Sequence, residues 1–264
     1  MSSQNYSPPQ PTPQLSTGST TWIKADYEFA STFSYRIPGV SNQFAIGSPI
    51  PSPAAVKLAL VDTAIRWSGD VNKGRKIFDL VKTATVCVIP PPRIVRFRAF
   101  IKRLKPRSNS LLESTGVRDY FLFEGPLSVY IQVPDSEKCE IEQLLQKIRR
   151  LGTTDSLCWC SRVRQESPPD CLCSKIFSHS LASHGQSQAI PLHGFPIRLK
   201  DLTTGSAFDG FNPFGGSQSK SNLCDEIHVL PVVVQRSGET WAILKRCDCA
   251  KQEKEHYDTT AEND

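Results

Sequence analysis

A basic segment in the first half of the chain carries the clearest chemical signal. Residues 93–107 contain seven cationic side chains and no acidic one. If the segment is a strand, alternation places Arg96, Arg98 and Lys102 on one face together with Phe100. Such a row can follow the phosphates of a nucleic-acid strand, while the aromatic ring accepts a base. The alternative is an edge strand that its charge protects from pairing. The cations are Arg93, Arg96, Arg98, Lys102, Arg103, Lys105 and Arg107.

A second candidate site lies at the start of a helix. Ser52 followed by Pro53 is a favoured helix beginning, with the serine as N-cap. The free N–H groups at such a helix end can bind a phosphate, and Arg36 in the preceding loop adds a positive charge. An ordinary cap and a loop arginine explain the same residues equally well.

Cysteine pairs in the second half could ligate zinc. Cys158 and Cys160 are followed by Cys171 and Cys173, so four soft ligands are present. Their C-x-C spacing differs from the usual C-x₂-C pattern, and two such residues on a strand also fit as small core side chains. Zinc is therefore a secondary hypothesis, and no metal or cofactor is predicted. The nine cysteines are expected to be reduced, because the count is odd and nothing indicates export.

Catalytic residues are not indicated by any spacing. His179, His184 and His193 lie in loop-like sequence, but no motif connects one of them to a catalytic partner. The sequence contains neither a G-x-x-x-x-G-K-[ST] phosphate loop nor an H-E-x-x-H motif. We therefore expect that the protein is not an enzyme.

The composition is that of a folded protein with a basic body. Hydrophobic residues make up 39% and charged residues 22% of the 264 residues. Net charge is +5, and because residues 250–264 carry −3, the body carries +8. That charge permits a polyanionic partner. No apolar run reaches the ~20 residues that span a bilayer, and the N-terminus lacks signal-peptide features. These features predict a cytoplasmic protein without membrane contact.

Apolar spacing predicts three helices between several strands. The first helix begins at Ser52 and carries one apolar stripe, the second covers about 71–82, and the third stops at Gly152. The stripe of the first helix is Val56, Leu60, Ala64 and Trp67, and the third helix is capped by Asp135 or Ser136. The predicted strands are 22–30, 86–89, 94–104, 119–123, 127–133 and 157–164, with a late hairpin of 228–235 and 241–246.

This order predicts an α+β fold with a ferredoxin-like (RRM-like) βαββαβ core. A basic β-hairpin of about 93–122 is inserted between the two middle strands, and a smaller C-terminal part is rich in β-structure. The predicted divisions are a disordered tail 1–20, the core domain 21–165, the C-terminal part 166–249 with a mobile loop 203–222, and an acidic tail 250–264.

Four motifs in this order resemble the Cas-five family of the RAMP superfamily, found in type I CRISPR effector complexes. They are Phe33-Ser-Tyr-Arg-Ile-Pro-Gly39, Pro49-Ile-Pro-Ser-Pro53, Thr115-Gly-Val-Arg-Asp-Tyr-Phe121 and Arg150-Leu-Gly-Thr-Thr-Asp-Ser-Leu157. The resemblance covers about residues 22–164. It implies that the basic hairpin is the thumb that this family wedges against the guide RNA.

The resemblance also implies a role and partners. The chain would be a non-catalytic subunit that caps the 5′ handle of the guide RNA and nucleates the complex. It would contact Cas-seven backbone subunits and a large subunit, and target DNA indirectly. The alternatives are a metal-independent endoribonuclease that processes precursor RNA and a zinc-stabilised protein-interaction module. The residues expected to contact RNA are Arg36, Ser52, Arg93, Arg96, Arg98, Phe100, Lys102, Arg103, Lys105, Arg107, Arg118 and Tyr120.

Overall fold

The protein is a mixed α+β structure with several antiparallel sheets. The computed structural model describes residues 19–37, 44–107, 110–169, 194–211 and 222–247. The helices in these ranges are α1 (Pro53–Ser68), α2 (Val71–Val81) and α3 (Lys138–Lys147). The strands are β1 (Thr20–Phe29), β2 (Tyr35–Arg36), β3 (Phe44–Ala45), β4 (Gly47–Ser48), β5 (Val86–Ile89), β6 (Arg93–Arg107), β7 (Ser110–Glu124), β8 (Leu127–Pro134), β9 (Cys158–Gln165), β10 (Phe195–Leu202), β11 (Leu223–Leu230), β12 (Val232–Ser237) and β13 (Trp241–Arg246).

A four-stranded antiparallel sheet forms the centre of the fold. Its strand order is β5-β8-β1-β9. The alternation that predicted the first strand is confirmed, because Ile23, Ala25 and Tyr27 are buried while Lys24 and Asp26 lie on the other face. The buried face joins the apolar sides of the three helices in one core.

Helix α1 begins where the sequence predicted. The Ser52 side chain accepts a hydrogen bond from the N–H of Ala55 at 3.2 Å, so the predicted cap is confirmed. The predicted apolar stripe holds for its first three residues, which are buried. It is wrong for Trp67, which is 68% exposed. Trp67 is in the last turn of α1, where the helix has passed the edge of the core.

Helix α3 is shorter than predicted and begins differently. A 3₁₀ turn covers Asp135–Glu137, and no side chain caps the helix that follows. The helix ends at Lys147 because Ile148 becomes extended and buries its side chain. The chain then forms a short turn closed by a bridge between Arg150 and Leu157.

The basic hairpin is longer than predicted. β6 pairs with β7 from Arg93 opposite Glu124 to Arg107 opposite Ser110. The prediction that one strand ends at 104 and the next begins at 119 is therefore wrong: 105–107 and 110–118 are also strand, because backbone pairing along β6 extends the ladder through polar sequence. The hairpin belongs to a five-stranded sheet of order β12-β13-β6-β7-β3.

The C-terminal strands form two hairpins. β10 pairs with β11, and β12 pairs with β13, which also pairs with β6. The predicted late hairpin is confirmed in β12 and β13, and its second strand has the predicted bounds, 241–246. The predicted start of its first strand at 228 is wrong, since β11 ends at Leu230 and β12 begins at Val232. Pro231 separates them because it has no N–H for a ladder.

Several sequence predictions fall outside the described residues. These are the N-terminal tail up to residue 18, the acidic tail and residues 212–221, half of the loop predicted to be mobile. Within that loop Phe208 and Phe211 are described, and both rings pack against Phe78. The division into domains stays a prediction. No helix in the described ranges is long and apolar enough to cross a membrane.

Candidate nucleic-acid interface

One face of the basic hairpin carries the predicted row of cations. The register places Arg96, Arg98 and Lys102 on the same face of β6 as Phe100. Phe100 is 70% exposed, so its ring is available to a base. β6 also pairs with β13, where Arg96 lies opposite Ala242. This backbone pairing fixes the position of the first arginine of the row.

The opposite strand supplies acidic partners that the sequence of β6 alone did not show. The Asp119 side chain is 1% exposed and accepts a hydrogen bond from Arg98 Nε at 3.0 Å. Arg96 lies 4.0 Å from the same carboxylate, which also accepts the N–H of Gly47 at 3.2 Å. The Nε of Arg96 has no hydrogen-bond partner among the described residues. That atom is buried, so it is not available to a ligand. Asp119 therefore positions two guanidinium groups, of which that of Arg98, on a side chain 42% exposed, is the more accessible.

Two cations of the basic segment are paired at the surface, Lys102 in the row and Arg93 on the other face of β6. Lys102 lies 2.7 Å from Glu113, and Arg93 lies 2.9 Å from Glu124. Exposed pairs of this kind stabilise a protein by only about 0–1 kcal/mol, so a phosphate can replace the carboxylate. The side chains of Arg103, Lys105 and Arg107 lie outside the described residues.

The remaining predicted residues of the hairpin lie on its other face. Tyr120 is opposite Phe97, and the two rings stack at 5.5 Å with an interplanar angle of 16°. Arg118 is opposite Ala99 on that same face. Phe100 and Tyr120 therefore cannot stack on one base together, and Phe100 is the more exposed ring.

A cavity of about 240 Å³ lies at the N-terminal end of α1. Arg36 and Ser52, both predicted as RNA contacts, line it together with Arg198 and Lys200 of β10. The first turn of α1 is largely satisfied within the chain: the side-chain oxygen of Ser52 accepts the N–H of Ala55, its carbonyl accepts the N–H of Val56, and Pro53 has no N–H. Among the described residues no acidic side chain lines the cavity.

The turn after α3 forms one wall of this cavity. Gly152 has φ +87°, and a Cβ there would lie 2.9 Å from Cε1 of Tyr35. The hydroxyl of Tyr35 donates to the carbonyl of Leu151 at 2.6 Å. Burial raises the pKa of the Tyr35 hydroxyl well above its usual range, so the hydroxyl stays protonated. The Tyr35 ring therefore lines the cavity and does not act as a general base.

A buried ion pair brings β10 to the cavity. Lys57 of α1 lies 2.8 Å from Asp201 of β10 and also donates to the carbonyl of Lys82 at 3.2 Å. Sequence reasoning missed this pair, and with it Arg198 and Lys200. The alternation of Arg198 and Lys200 with the buried residues Ile197 and Leu199 is the signal that would have predicted a basic strand.

Two of the four candidate zinc ligands, Cys158 and Cys160, lie on β9. Burial raises the pKa of Cys158 to about 12 and also raises the pKa of Cys160. Cys171 and Cys173 lie outside the described residues. Within the described ranges no three histidine, cysteine or acidic side chains are placed to hold a metal.

The expectation that all cysteines are reduced is wrong for one pair, of which one member lies in the described residues. Cys87, buried on β5 beside Ile89 and Tyr130, is disulfide-bonded. An odd cysteine count does not exclude a single pair. The described free cysteines are Cys139, Cys158, Cys160, Cys224 and Cys247. The other cysteine of the bond lies outside the described residues.

Comparison with known proteins shows the family of the chain. The chain is 32% identical over 232 residues to the CRISPR-associated protein Cas5 of Archaeoglobus fulgidus, over 85% of this chain and 98% of that protein. The chain belongs to the Cas-five family of CRISPR-associated proteins. The family that the four sequence motifs indicated is thereby confirmed.

A solved structure is also similar to this Cas-five protein. It is the crystal structure of a CRISPR protein from Archaeoglobus fulgidus, which matches over 86% of this chain and 92% of its own, with 15% identity and a TM-score of 0.38. No family model matches the sequence.

Proposed function

We propose that this Cas-five protein binds single-stranded RNA and caps the 5′ handle of a CRISPR guide RNA. The observation that carries the proposal is the cavity at the start of α1. There Arg36, Arg198 and Lys200 line one space at a helix N-terminus, with Lys200 paired to Asp225 at 2.8 Å, and no acidic side chain among the described residues lines that space. Cations placed at the positive end of a helix are a feature that binds phosphate.

The basic hairpin provides the second part of the interface. Arg96 and Arg98, held by Asp119, would contact successive phosphates, and the exposed ring of Phe100 would stack on a base. In this proposal the cavity holds the RNA end while the hairpin separates bases as the thumb of the complex. The partners are the guide RNA, Cas-seven backbone subunits and a large subunit, with target DNA reached through the complex.

We also infer a ferredoxin-like core. The strands β1, β5, β8 and β9 alternate with helices in the order βαββαβ, since α1 and α2 follow β1, and α3 follows β8. Across the sheet these strands lie in the order β5-β8-β1-β9. Counted along the chain, they are the second, third, first and fourth strands of the core. This antiparallel arrangement supports the inference that the basic hairpin is an insertion between the two middle strands of such a core.

The proposed role is non-catalytic. Tyr35, the tyrosine that lines the cavity, has its hydroxyl bonded to Leu151 and its pKa raised by burial, which opposes proton transfer. The histidines named as alternatives, His179, His184 and His193, lie outside the described residues. Incubation with repeat RNA in EDTA separates the functions: intact RNA is expected, and a discrete cut lost on replacing one histidine would establish an endoribonuclease.

Salt-dependent binding tests the cavity directly. For a single strand, log Kobs falls with log salt at a slope of about −0.7 per neutralised phosphate. Replacing Arg36, Arg198 and Lys200 together with alanine should flatten the slope for a labelled repeat RNA by about 2. The matched control is Arg162→Ala, an exposed arginine of β9 that has no side-chain partner among the described residues. An unchanged slope in the triple variant would contradict the proposal.

A further inference from the structure

A second groove lies at the other end of α1. It is formed by the last turns of α1, the end of α3 and the residues that close the turn between Arg150 and Leu157, and its volume is about 540 Å³. Trp67 stands in this groove, 68% exposed. The ammonium group of Lys147 lies 3.7 Å from the centre of its ring. Since one cation covers one face of an exposed indole, the other face is open to a ligand.

The charges in the groove are strongly unbalanced. Four cations line it, Arg66, Lys147, Arg149 and Arg150, against the single acid Asp62. Asp62 is already occupied, because both of its carboxylate oxygens accept the Nε of Arg66, at 2.9 and 2.8 Å. Arg149 and Arg150 make no ion pair or side-chain hydrogen bond with any described residue. Two guanidinium groups are therefore available for an anionic ligand.

A nucleotide satisfies both features of the groove at once. Its base can lie on the open face of Trp67, where stacking on an aromatic side chain is tolerant of sequence, and its phosphates can pair with the free guanidinium groups. An acidic peptide would satisfy the charges and leave the indole exposed. The volume also lies within the ~300–1,000 Å³ typical of ligand sites.

We infer that this groove is a second binding site for single-stranded nucleic acid, in which a base stacks on Trp67 and the adjoining phosphates contact Arg149 and Arg150. The site is separate from the first cavity. Gly152 and Thr153 line the first cavity, whereas Arg149, Arg150 and Leu157 line this groove. Along α1, the 15 residues from Ser52 to Trp67 correspond to about 22 Å.

The groove does not depend on the proposed capping role, and binding experiments can separate the two. The full chain is titrated into a labelled 20-nucleotide uridine-rich RNA and, in parallel, a thymidine-rich DNA of equal length. Trp67→Ala should weaken binding by about 5- to 160-fold, the range seen when a stacking aromatic is removed. The double variant R149A/R150A should flatten the salt slope by about 1.4.

Two matched controls make the test specific. Trp159 is 51% exposed on β9, and Arg162 is exposed on the same strand. Trp159→Ala and Arg162→Ala should leave the affinity within about 2-fold of the wild type. The salt slope should be unchanged in both. Because Trp67 is exposed, its replacement should also leave the thermal midpoint nearly unchanged, which thermal unfolding checks.

Cross-linking gives a readout that does not depend on affinity. A 5-bromouracil-containing strand should photo-cross-link to the peptide that contains Trp67, and the cross-link should persist in the variant R36A/R198A/K200A. Persistence there with loss of capping would leave this inference standing while the proposed function fails. Unchanged affinity in both groove variants, or a cross-link only at Trp159 or Trp241, would overturn it. So would competition for the groove by polyglutamate but by neither oligonucleotide, which would identify a protein-docking surface.

Discussion

Lys57 Nζ lies 2.8 Å from the carboxylate of Asp201, and the side chain of the lysine is 2% exposed. The two residues are 144 positions apart in the chain. Their contact joins α1, which contributes its N-terminus to the RNA cavity, to β10, which contributes Arg198 and Lys200. This buried ion pair, together with the packing of Ile197 and Leu199 in the main core, therefore assembles the cavity that carries the proposed function.

Breaking this pair should destabilise the protein strongly. Lys57→Met leaves the carboxylate of Asp201 without its cation, and removing one partner of a buried pair typically costs about 3–5 kcal/mol of unfolding free energy. The double variant K57M/D201L should recover much of that loss. Denaturant unfolding measures both. The control is Lys76→Met, which breaks only exposed contacts with Glu137 and Glu140 and should cost less than about 1 kcal/mol. Equal losses for Lys57 and Lys76 would contradict the account.

The wall of the cavity depends on a glycine. Gly152 has φ +87° and approaches Tyr35 so closely that a Cβ would lie 2.9 Å from the ring. Gly152→Ala should lower the unfolding free energy by about 1–3 kcal/mol and weaken RNA binding, because the turn must shift. Gly205→Ala is the control: nothing lies within 4 Å of its added Cβ, so its stability should be unchanged or slightly higher. Urea titrations of the two variants check the difference.

The free energy of unfolding should decrease at low pH because one carboxylate on the outer face of the main sheet becomes protonated. Hydrogen bonds from Arg164 and Lys24 hold the pKa of Glu166 at about 2. An unfolded glutamate has a pKa of about 4.3, so the folded state favours the ionised form. The resulting stability is present above pH 4.3 and is lost as the pH falls through 2.

Glu166→Gln tests this carboxylate. Because the side chain is more than a third exposed, its contribution at pH 7 is about 1 kcal/mol or less. Unfolding free energies measured from pH 7 to pH 2 should converge for wild type and variant at the acid end. A constant difference across that range would show that the loss does not come from ionisation.

Base stacking on the hairpin is a further expectation. Phe100→Ala should weaken RNA binding by about 1–3 kcal/mol, since the exposed ring is positioned beside Arg98 and Lys102. Leu112 is exposed on the other face of the hairpin, so Leu112→Ala should leave binding unchanged. Fluorescence anisotropy with a labelled repeat RNA gives both affinities. Equal effects of the two substitutions would mean that the RNA does not lie on the Phe100 face.

The sequence predicted local features well and the relations between distant segments poorly. The start of α1 at Ser52 and the burial pattern of β1 follow from capping and alternation, which act within a few residues. Asp119 was missed as the partner of Arg98 because strand register decides which residues face each other. Arg198 was missed because its place at the cavity depends on the long-range pair of Lys57 and Asp201.

Trp67 shows a different failure. The helical period placed it on the apolar stripe of α1, and the period itself is correct. Whether such a residue is buried depends on how far the neighbouring elements extend along the helix. At this end α1 extends beyond the elements that pack against it, so Trp67 is exposed. An exposed tryptophan on an apparently apolar stripe is then a functional signal that only the tertiary structure reveals.

The RNA that copurifies with the complex tests the central claim most directly. The chain is expressed with its genomic neighbours, the complex is purified, and the 5′ ends of the bound RNA are sequenced. We predict repeat-derived RNA with one uniform 5′ end, and ragged ends when Arg36, Arg198 and Lys200 are replaced by alanine. Recovery of no RNA, or of the same uniform 5′ end from the triple variant, would contradict the assignment of the α1 cavity as the site that caps the guide.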